Sequence, residues 1–246
     1  DSGEVLAEKD ADSTIYPASM TKMMKALLAI EANPDLDTPV TLPEEIFPAL
    51  QAQNASLAGF QAGETATVRD LLYGAMLPSG AECCEALARE VSGSEEAFVA
   101  RMNQKAAELG MTGTHFCNPT GLHDPEHVST VRDMARLTEA ALQNETFRKL
   151  FTTERYTVPA TNCHPQGFTM RSTLLSQLDG TALHSGWILG GKTGYTGEAG
   201  LCLAGLAEVK GREYILVTAG AGGNHSTAPY HIEDAVTVYR RVSRGS

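Results

Sequence analysis

The sequence predicts an α/β protein, an α+β sandwich in which one mixed, mainly antiparallel sheet is flanked by helices. Three observations predict this class. Strand patterns lie towards both termini, and amphipathic helical patterns fill the middle of the chain. The strongest strand patterns, residues 201–209 and 212–219, are separated only by Lys210 and Gly211, a hairpin-turn signal. We therefore expect one sheet built from both termini, with an all-helical lobe inserted into it.

The composition is that of an ordinary globular domain. The chain has 246 residues, of which 42% are hydrophobic and 20% are charged, and its formal net charge is -11. We expect one domain, with an α/β part at residues 1–32 and 144–246 and a helical lobe at residues 33–143. The negative charge argues against nucleic acid and anionic membrane surfaces as partners. No apolar run reaches the roughly 18–20 residues that a membrane span needs.

The N-terminal residues predict short strands and then the first helix. Alternating apolar and polar residues predict a strand over residues 2–9, against which residues 14–16 are expected to pair. Pro17 favours extended backbone before it, so a helix with a broad apolar face is expected to begin just after it and run to about Glu31.

Ser19 and Lys22 lie three residues apart in the first turn of this helix, so their side chains share one face. A serine hydroxyl becomes a good nucleophile when a base takes its proton, and a lysine amine can be that base if burial lowers its pKa. The N–H groups at the helix N-terminus suit an oxyanion. However, one S-x-x-K is expected by chance in a chain of this size, so the pair alone is a weak signal.

The middle of the chain predicts four helices separated by turns. Residues 33–39 end the first helix, and residues 41–67 have the character of turns and short irregular pieces. Caps and apolar spacing then predict helices at residues 68–77, 82–91, 95–109 and 131–142, with caps at Thr67 (with Asp70), Ser94 and Thr130 (with Asp133). Ser79 and Gly80 fall in the tight connection between the first two, where a plain turn and a rigidly placed catalytic serine fit equally.

The C-terminal part contains a third candidate group within a glycine-rich segment. Lys192 carries a positive charge, Thr193 a hydroxyl, and Gly194 lets a ligand approach the backbone closely, a combination that suits a carboxylate. A solvated lead-in to the next strand is the alternative. The other elements expected in this part are strands at residues 155–159 and 167–171 and an amphipathic helix at residues 229–241.

The cysteines predict neither a disulfide framework nor a zinc site. Their number is odd and no C-x-x-C occurs, and Cys163 with His164 is at most half of a metal site. We expect no cofactor and buried, unreactive thiols at Cys83, Cys84, Cys117, Cys163 and Cys202.

Three motifs occur in order: S-x-x-K at residues 19–22, S-G-A at residues 79–81 and K-T-G at residues 192–194. The signature of penicillin-recognising serine enzymes is S-x-x-K, S-D-N and K-T-G. The sequence around each motif closely resembles the D-alanyl-D-alanine carboxypeptidases, the low-molecular-mass penicillin-binding proteins, and the resemblance spans nearly the whole chain. It implies a β-lactamase/transpeptidase-like fold and the removal of the terminal D-alanine from peptidoglycan stem pentapeptides.

The resemblance also implies a role for each motif residue. By the resemblance, Ser19 is the acylated nucleophile and Lys22 the general base, and Ser79 relays a proton to the departing D-alanine. Lys192 and Thr193, beside Gly194, bind the carboxylate. The backbone N–H groups of Ser19 and Tyr195 form the oxyanion hole.

Three departures from the family pattern stand out. Ala81 replaces the usual asparagine of the second motif, which would leave one hydrogen bond to be supplied by another group. Tyr195 stands where histidine is common, and its backbone would do the same work. Residues 220–225 contain no arginine as a second carboxylate ligand, so His225 is the candidate stand-in.

The resemblance further implies β-lactams as covalent inhibitors and an exported location in the cell envelope, with membrane association only through segments absent from this chain. Free thiols in an exported protein indicate a reducing or anaerobic setting. Two alternatives are kept. One is a β-lactamase of the same superfamily, although no E-x-x-L-N segment is found. The other is a sensor of β-lactams or peptidoglycan that acylates without turnover, because Ala81 replaces the asparagine.

Overall fold

The computed structural model describes residues 2–244. Its main sheet is antiparallel, with strand order β5-β6-β7-β8. The strands are β5 (Ala182–Leu183), β6 (Gly186–Thr196), β7 (Gly200–Val209) and β8 (Arg212–Ala221). The predicted hairpin between β7 and β8 is confirmed, and both of its turn residues, Lys210 and Gly211, have positive φ. A bulge between Ile188 and Gly190 shifts the register of β6 before it reaches Lys192.

The helices follow the predicted order. After a 3₁₀ turn (Ala18–Thr21) come α1 (Lys22–Ala32), α2 (Ile46–Ala52), α3 (Val68–Met76), α4 (Ala81–Ser92), α5 (Glu95–Glu108), α6 (Val131–Leu142), α7 (Glu145–Thr152) and α8 (Tyr230–Arg244). The predicted capping box of α3 is present, since Thr67 Oγ1 accepts from the Asp70 N–H and Asp70 accepts from the Thr67 N–H. The structure adds α2 and α7, which the sequence pattern did not predict.

Core residues pack on both faces of strand β7. The sequence of β7 is therefore apolar at nearly every position. Cys202, Ala204 and Leu206 belong to the large core that contains α1. On the other face, Leu203 and Ala207 pack with the inner residues of α8. Helix α1 is buried along almost its whole length and contacts α3, α4, α5, α6 and α7. Its N-terminal turn contacts β6 and β7, so the turn that carries Ser19 is fixed against the sheet.

The structure corrects the prediction for the N-terminal residues and for the origin of the sheet. Residues 2–9 form no strand, and Val5 and Leu6 are 61% and 58% exposed. The segment has too few apolar residues to compete for a place in the sheet, and Arg132 of α6 pairs with Glu8 on it and with Asp12 just after it. Within the described residues, the four-stranded sheet is therefore built from residues after 181, not from both termini.

The pairing expected within residues 2–16 is replaced by a long-range contact, a single bridge between Ile15 and Ser129. The lobe at residues 33–143 is not all-helical, because β1 (Pro39–Thr41) and β2 (Thr65–Thr67) form a short antiparallel ribbon. Strands of three residues are too short to show an alternating pattern. The two strands predicted at residues 155–159 and 167–171 are confirmed as β3 (Arg155–Val158) and β4 (Phe168–Arg171), and the structure pairs them in an antiparallel ribbon. Our division of the chain into these parts stays a prediction.

Among residues 2–244, no helix combines the length and the apolar character that crossing a bilayer requires.

Candidate active site

Ser19 lies in the 3₁₀ turn before α1, where the backbone is strained and tightly enclosed. Ala18 has φ +46°, a value that residues with a Cβ adopt at a cost. Gly121 approaches so closely that a Cβ there would lie 1.9 Å from the Ala18 carbonyl oxygen. On the other side, a Cβ on Gly194 of β6 would lie 3.0 Å from the Ser19 nitrogen. Both glycines therefore allow the surrounding backbone to hold this turn in place.

Lys22 lies directly under Ser19 and is 3% exposed. Its Nζ is 2.8 Å from Ser19 Oγ and donates to the Thr120 carbonyl at 2.7 Å. Asn118 holds the loop that supplies this carbonyl, because its Oδ1 accepts from the N–H groups of Thr120 and Gly121. The structure thus joins the predicted pair and adds Thr120, which is 98 residues away from Lys22 in sequence.

The surroundings of Lys22 favour a neutral amine. Burial is the largest cause that lowers its pKa from the ordinary 10.5, and the nearby Lys25 amine lowers it further, while Cys84 and Glu82 act in the opposite direction. A neutral amine within hydrogen-bond distance of a serine hydroxyl can take the hydroxyl proton.

Ser79 and Lys192 form a second hydrogen-bonded pair, close enough to Lys22 for its charge to act on Lys192. Ser79 has φ +70° at the corner between α3 and α4, an unfavourable conformation that fixes its direction. The buried Lys192 amine donates to Ser79 Oγ at 2.9 Å and to the Thr193 carbonyl at 2.8 Å. Burial, followed by the charge of Lys22, holds the pKa of Lys192 well below 10.5. An anion beside Lys192 would favour its charged form.

Thr193 and Tyr195 complete the β6 edge of the cavity. Thr193 Oγ1 lies 2.6 Å from Thr173 Oγ1, so the orientation of its hydroxyl depends on a residue that the sequence analysis missed. The Tyr195 ring meets His225 edge to face at 4.7 Å between centroids, which places His225 at the rim. The cavity has a volume of about 350 Å³, and its lining includes Ser19, Ser56, Ser79, Thr193, Gly194, Tyr195, Asn224 and His225.

The position of the missing asparagine is filled by a buried alanine. The Ala81 N–H donates to the Ser56 carbonyl at 2.8 Å, and the next residue, Glu82, accepts from the N–H groups of Ala58 and Gly59. These contacts connect the second motif to the loop that carries Ser56. Among the residues the structure describes, the second hydrogen bond of Lys22 goes to the Thr120 carbonyl and not to a side chain of this motif.

The cysteines are all free, but they differ in exposure. Cys83, Cys84 and Cys202 are buried as expected, whereas Cys117 and Cys163 are partly exposed, because both lie in irregular loops. Burial raises the pKa of Cys202 to about 11, as suits an unreactive thiol. His164, considered with Cys163 as half of a metal site, instead places Nδ1 2.8 Å from Glu64 Oε1.

This geometry has the groups that acyl transfer requires. A hydroxyl beside a buried amine, at the head of a helix, faces a second buried amine and a threonine hydroxyl that together suit a carboxylate. The cavity between them has the size for a short peptide end.

Comparisons with known proteins agree with this geometry. A family profile described as D-alanyl-D-alanine carboxypeptidase matches residues 1–223. D-alanyl-D-alanine carboxypeptidase DacF of Bacillus subtilis is 37% identical over 90% of this chain and 55% of its own length. The D-alanyl-D-alanine carboxypeptidase of Streptomyces sp. strain K15 is 34% identical over 96% of this chain and 81% of its own.

The fold has a solved counterpart. The crystal structure of the Streptomyces K15 DD-transpeptidase superposes with a TM-score of 0.86 at 31% sequence identity, covering 98% of this chain and 93% of that one. This chain spans about half the length of DacF. A D-alanyl-D-alanine endopeptidase of Pseudomonas aeruginosa is also similar, at 31% identity over 99% of this chain and 74% of that protein.

Proposed function

This chain belongs to the D-alanyl-D-alanine carboxypeptidase family, and from that membership we propose that it is a serine-type D-Ala-D-Ala carboxypeptidase. It removes the terminal D-alanine from peptidoglycan stem pentapeptides through an acyl-enzyme on Ser19. The observation that carries the proposal is the 2.8 Å separation between the buried Lys22 amine and the Ser19 hydroxyl.

In the acylation step, neutral Lys22 takes the Ser19 proton while Ser19 Oγ attacks the carbonyl carbon of the D-Ala-D-Ala bond. The carbonyl oxygen becomes an oxyanion held by the backbone N–H groups of Ser19 and Tyr195. The C–N bond then breaks, and the proton that Lys22 took from Ser19 passes through Ser79 to the leaving D-alanine nitrogen, which leaves Lys22 neutral again. Each oxyanion donor is worth about 10²–10³ in rate.

Lys192 and Thr193 bind the carboxylate of the leaving D-alanine. The two buried amines repel each other when both are charged, so the free enzyme favours one proton between them. An incoming carboxylate raises the pKa of Lys192 and keeps the proton there, which leaves Lys22 neutral when its base function is needed. Water then attacks the acyl carbon, gives a proton back through Lys22, and releases the shortened peptide and free Ser19.

β-Lactams follow the same first step and leave a long-lived adduct on Ser19. The natural partner is a stem peptide that ends in D-Ala-D-Ala, which places the protein in the cell envelope, on the outer face of the cytoplasmic membrane or in the periplasm. The net charge of -11 argues against nucleic acid as a partner.

The test is to treat the purified protein with penicillin, measure the intact mass and map the labelled peptide, and then assay D-alanine release from a pentapeptide. We expect one adduct at Ser19, D-alanine release, and loss of both in Ser19→Ala. Labelling of another residue, or unchanged turnover by Ser19→Ala, contradicts the proposal.

The same assays separate the alternatives. Rapid nitrocefin hydrolysis without a trapped adduct indicates a β-lactamase. Penicillin labelling without D-alanine release indicates a sensor. Faster cleavage of a cross-linked peptide dimer than of the pentapeptide indicates an endopeptidase, the activity that the name of the Pseudomonas aeruginosa relative gives.

A further inference from the structure

His127 is a buried histidine that none of the three motifs contains. It is 2% exposed and lies at the end of the loop that faces the first turn of α1. Its Nδ1 accepts from the Cys117 N–H at 2.9 Å. Because a backbone N–H can only donate, the hydrogen of the neutral ring is on Nε2, which donates to Thr21 Oγ1 at 2.7 Å. The two contacts fix the ring and its tautomer.

The two partners of His127 belong to two different segments, each of which supplies a contact to the Lys22 amine. Thr21 directly precedes Lys22 in the turn that also carries Ser19. Cys117 directly precedes Asn118, whose side chain holds the Thr120 loop. His127 therefore links the segment that carries the amine to the segment whose carbonyl accepts from it.

We propose that His127 is a positioning residue for the Ser19–Lys22 pair, holding the Thr120 carbonyl and the α1 turn at the separation that keeps the Lys22 amine dry and directed at Ser19. This inference rests on the proposed function, since it assigns His127 a part in acylation at that same site. His127 does not touch substrate and acts through Thr21 and the Thr120 loop.

The surroundings of His127 suit a neutral, fixed ring. Burial is the largest cause that lowers its pKa, to about 4, with His115, His123 and Lys22 acting in the same direction and Asp124 opposing them. At any pH where Lys22 is a useful base, His127 is therefore uncharged and its Nδ1 can accept. Charging the ring would place a donor against the Cys117 N–H and break the link.

The pKa of Lys22 should depend on the link that His127 makes between Thr21 and Cys117. The groups that act on the Lys22 amine are Cys84, Lys25, Glu82 and Cys83, together with Lys192. Removing His127 changes none of these groups. It loosens the Thr120 contact and admits water, which raises the pKa of Lys22 towards its ordinary value. A smaller fraction of the enzyme then carries a neutral base at neutral pH.

The experiment measures the rate of penicillin acylation against pH for wild type, His127→Phe, His127→Gln, Thr21→Val and the double variant His127→Phe/Thr21→Val. We expect His127→Phe to acylate about 10- to 100-fold more slowly at neutral pH. Its acid limb should move to higher pH, so that raising the pH recovers part of the rate. His127→Gln, whose amide can accept and donate without titrating, should retain most of the rate.

Thr21→Val should slow acylation in the same direction, and adding it to His127→Phe should cost little more, because both remove one link. The control is His115→Phe, which changes an exposed histidine in the same loop. Should His127→Phe fail to fold, Thr21→Val carries the test, because its acid limb should still move to higher pH while that of His127→Gln stays close to the limb of wild type.

The outcomes separate the two proposals. If penicillin does not label wild-type Ser19, the proposed function fails and this inference fails with it. If wild type is labelled but His127→Phe and Thr21→Val keep its rate and acid limb, only the inference is overturned. A slower rate with an unmoved limb and additive effects also overturns it, because it shows general destabilisation.

Discussion

Lys22 and Lys25 lie one turn apart on α1, and both are buried, but their surroundings differ. The Lys22 amine has two partners, Ser19 Oγ and the Thr120 carbonyl. The Lys25 amine has no hydrogen-bond partner anywhere in residues 2–244. Burial lowers the pKa of both. The Lys22 amine is therefore oriented by hydrogen bonds towards Ser19, whereas the Lys25 amine is buried without a bonded partner in the described chain.

Lys25 lies close to two acids that follow the second motif, where the chain departs from the family pattern. On the Lys25 side, one oxygen of Glu82 also lacks a partner within the described chain, and burial raises the pKa of Glu85 to about 7. These acids follow Ala81, the residue that replaces asparagine. Two buried polar atoms, Lys25 Nζ and one Glu82 oxygen, thus lack a partner within the described residues, whereas the Lys22 amine has two.

The first prediction, with the largest effect, tests whether Lys22 and Lys25 differ in their importance for acylation. Lys22→Met should lower the penicillin acylation rate by about 10²–10⁴-fold, because it removes the base and leaves the Ser19 proton in place. Lys25→Met is the matched control, with the same change one turn further along the same helix. Acylation kinetics followed by intact mass check both variants. Equal losses in the two variants would contradict the distinction.

A second prediction concerns the backbone on the Lys22 side. Gly121→Ala should destabilise the protein more than Gly110→Ala. Both glycines have positive φ, but only at Gly121 would a Cβ meet the Ala18 carbonyl, at 1.9 Å. We expect Gly110→Ala to cost about 1–2 kcal/mol from strain alone, and Gly121→Ala roughly 1–3 kcal/mol more from the overlap.

Urea unfolding of the two glycine variants measures this difference. Equal costs would mean that the turn moves away from residue 121 without penalty. In that case the Ser19 turn is less firmly held than the contacts around it indicate.

Local rules predicted those parts of the fold in which neighbours in sequence decide the structure. The capping box at Thr67 and the hairpin at Lys210 depend on residues within a turn of each other. Residues 2–9 show the limit, because an alternating pattern does not say whether a strand finds an edge to pair with. Helix α7 was missed although Asn144 caps it and its apolar residues have helical spacing, Phe147, Leu150 and Phe151.

The site divides in the same way. Ser19 and Lys22 could be paired from their spacing, and the motif order brought in Ser79 and Lys192. Spacing could not reveal Thr120, because it is 98 residues away from Lys22 in sequence and only the tertiary fold brings its carbonyl to the amine. A signal did exist in the N-P-T-G sequence at residues 118–121, where an asparagine and a glycine predict a tight turn.

A third prediction concerns the effect of the buried Lys25 amine on the stability of the fold. Lys25→Met should raise the free energy of unfolding by roughly 1–4 kcal/mol, because methionine fills similar space without an unpaired amine. The pKa of Lys25 is lowered by folding, so its charged form opposes folding below pH 10.5 and the penalty grows as the pH falls. The gain from Lys25→Met should therefore be larger at pH 6 than at pH 10, as measured by urea unfolding at both.

An unfolding free energy that falls in Lys25→Met at both pH values would contradict this view. It would show that the amine stabilises the fold through an interaction with the acids around it.

The smallest expected effect concerns Glu82. Acylation requires neutral Lys22, so its rate should rise with pH and level off below 10.5, since burial lowers the pKa of Lys22. The charge of Glu82 raises that pKa. Glu82→Gln should thus move the acid limb to lower pH, by less than about one unit.

Glu82→Gln keeps an amide oxygen to accept from the Ala58 and Gly59 N–H groups, so the Ser79 corner should stay in place. Glu90→Gln, on the exposed surface of the same helix, is the control and should leave the limb where it is. An unmoved limb in both variants would mean that Glu82 is already protonated, in keeping with the rise that burial causes in its own pKa. The two unpartnered groups, the Lys25 amine and the Glu82 carboxyl, would then include no negative charge. Lys22 and Lys25 would differ in their hydrogen bonds alone.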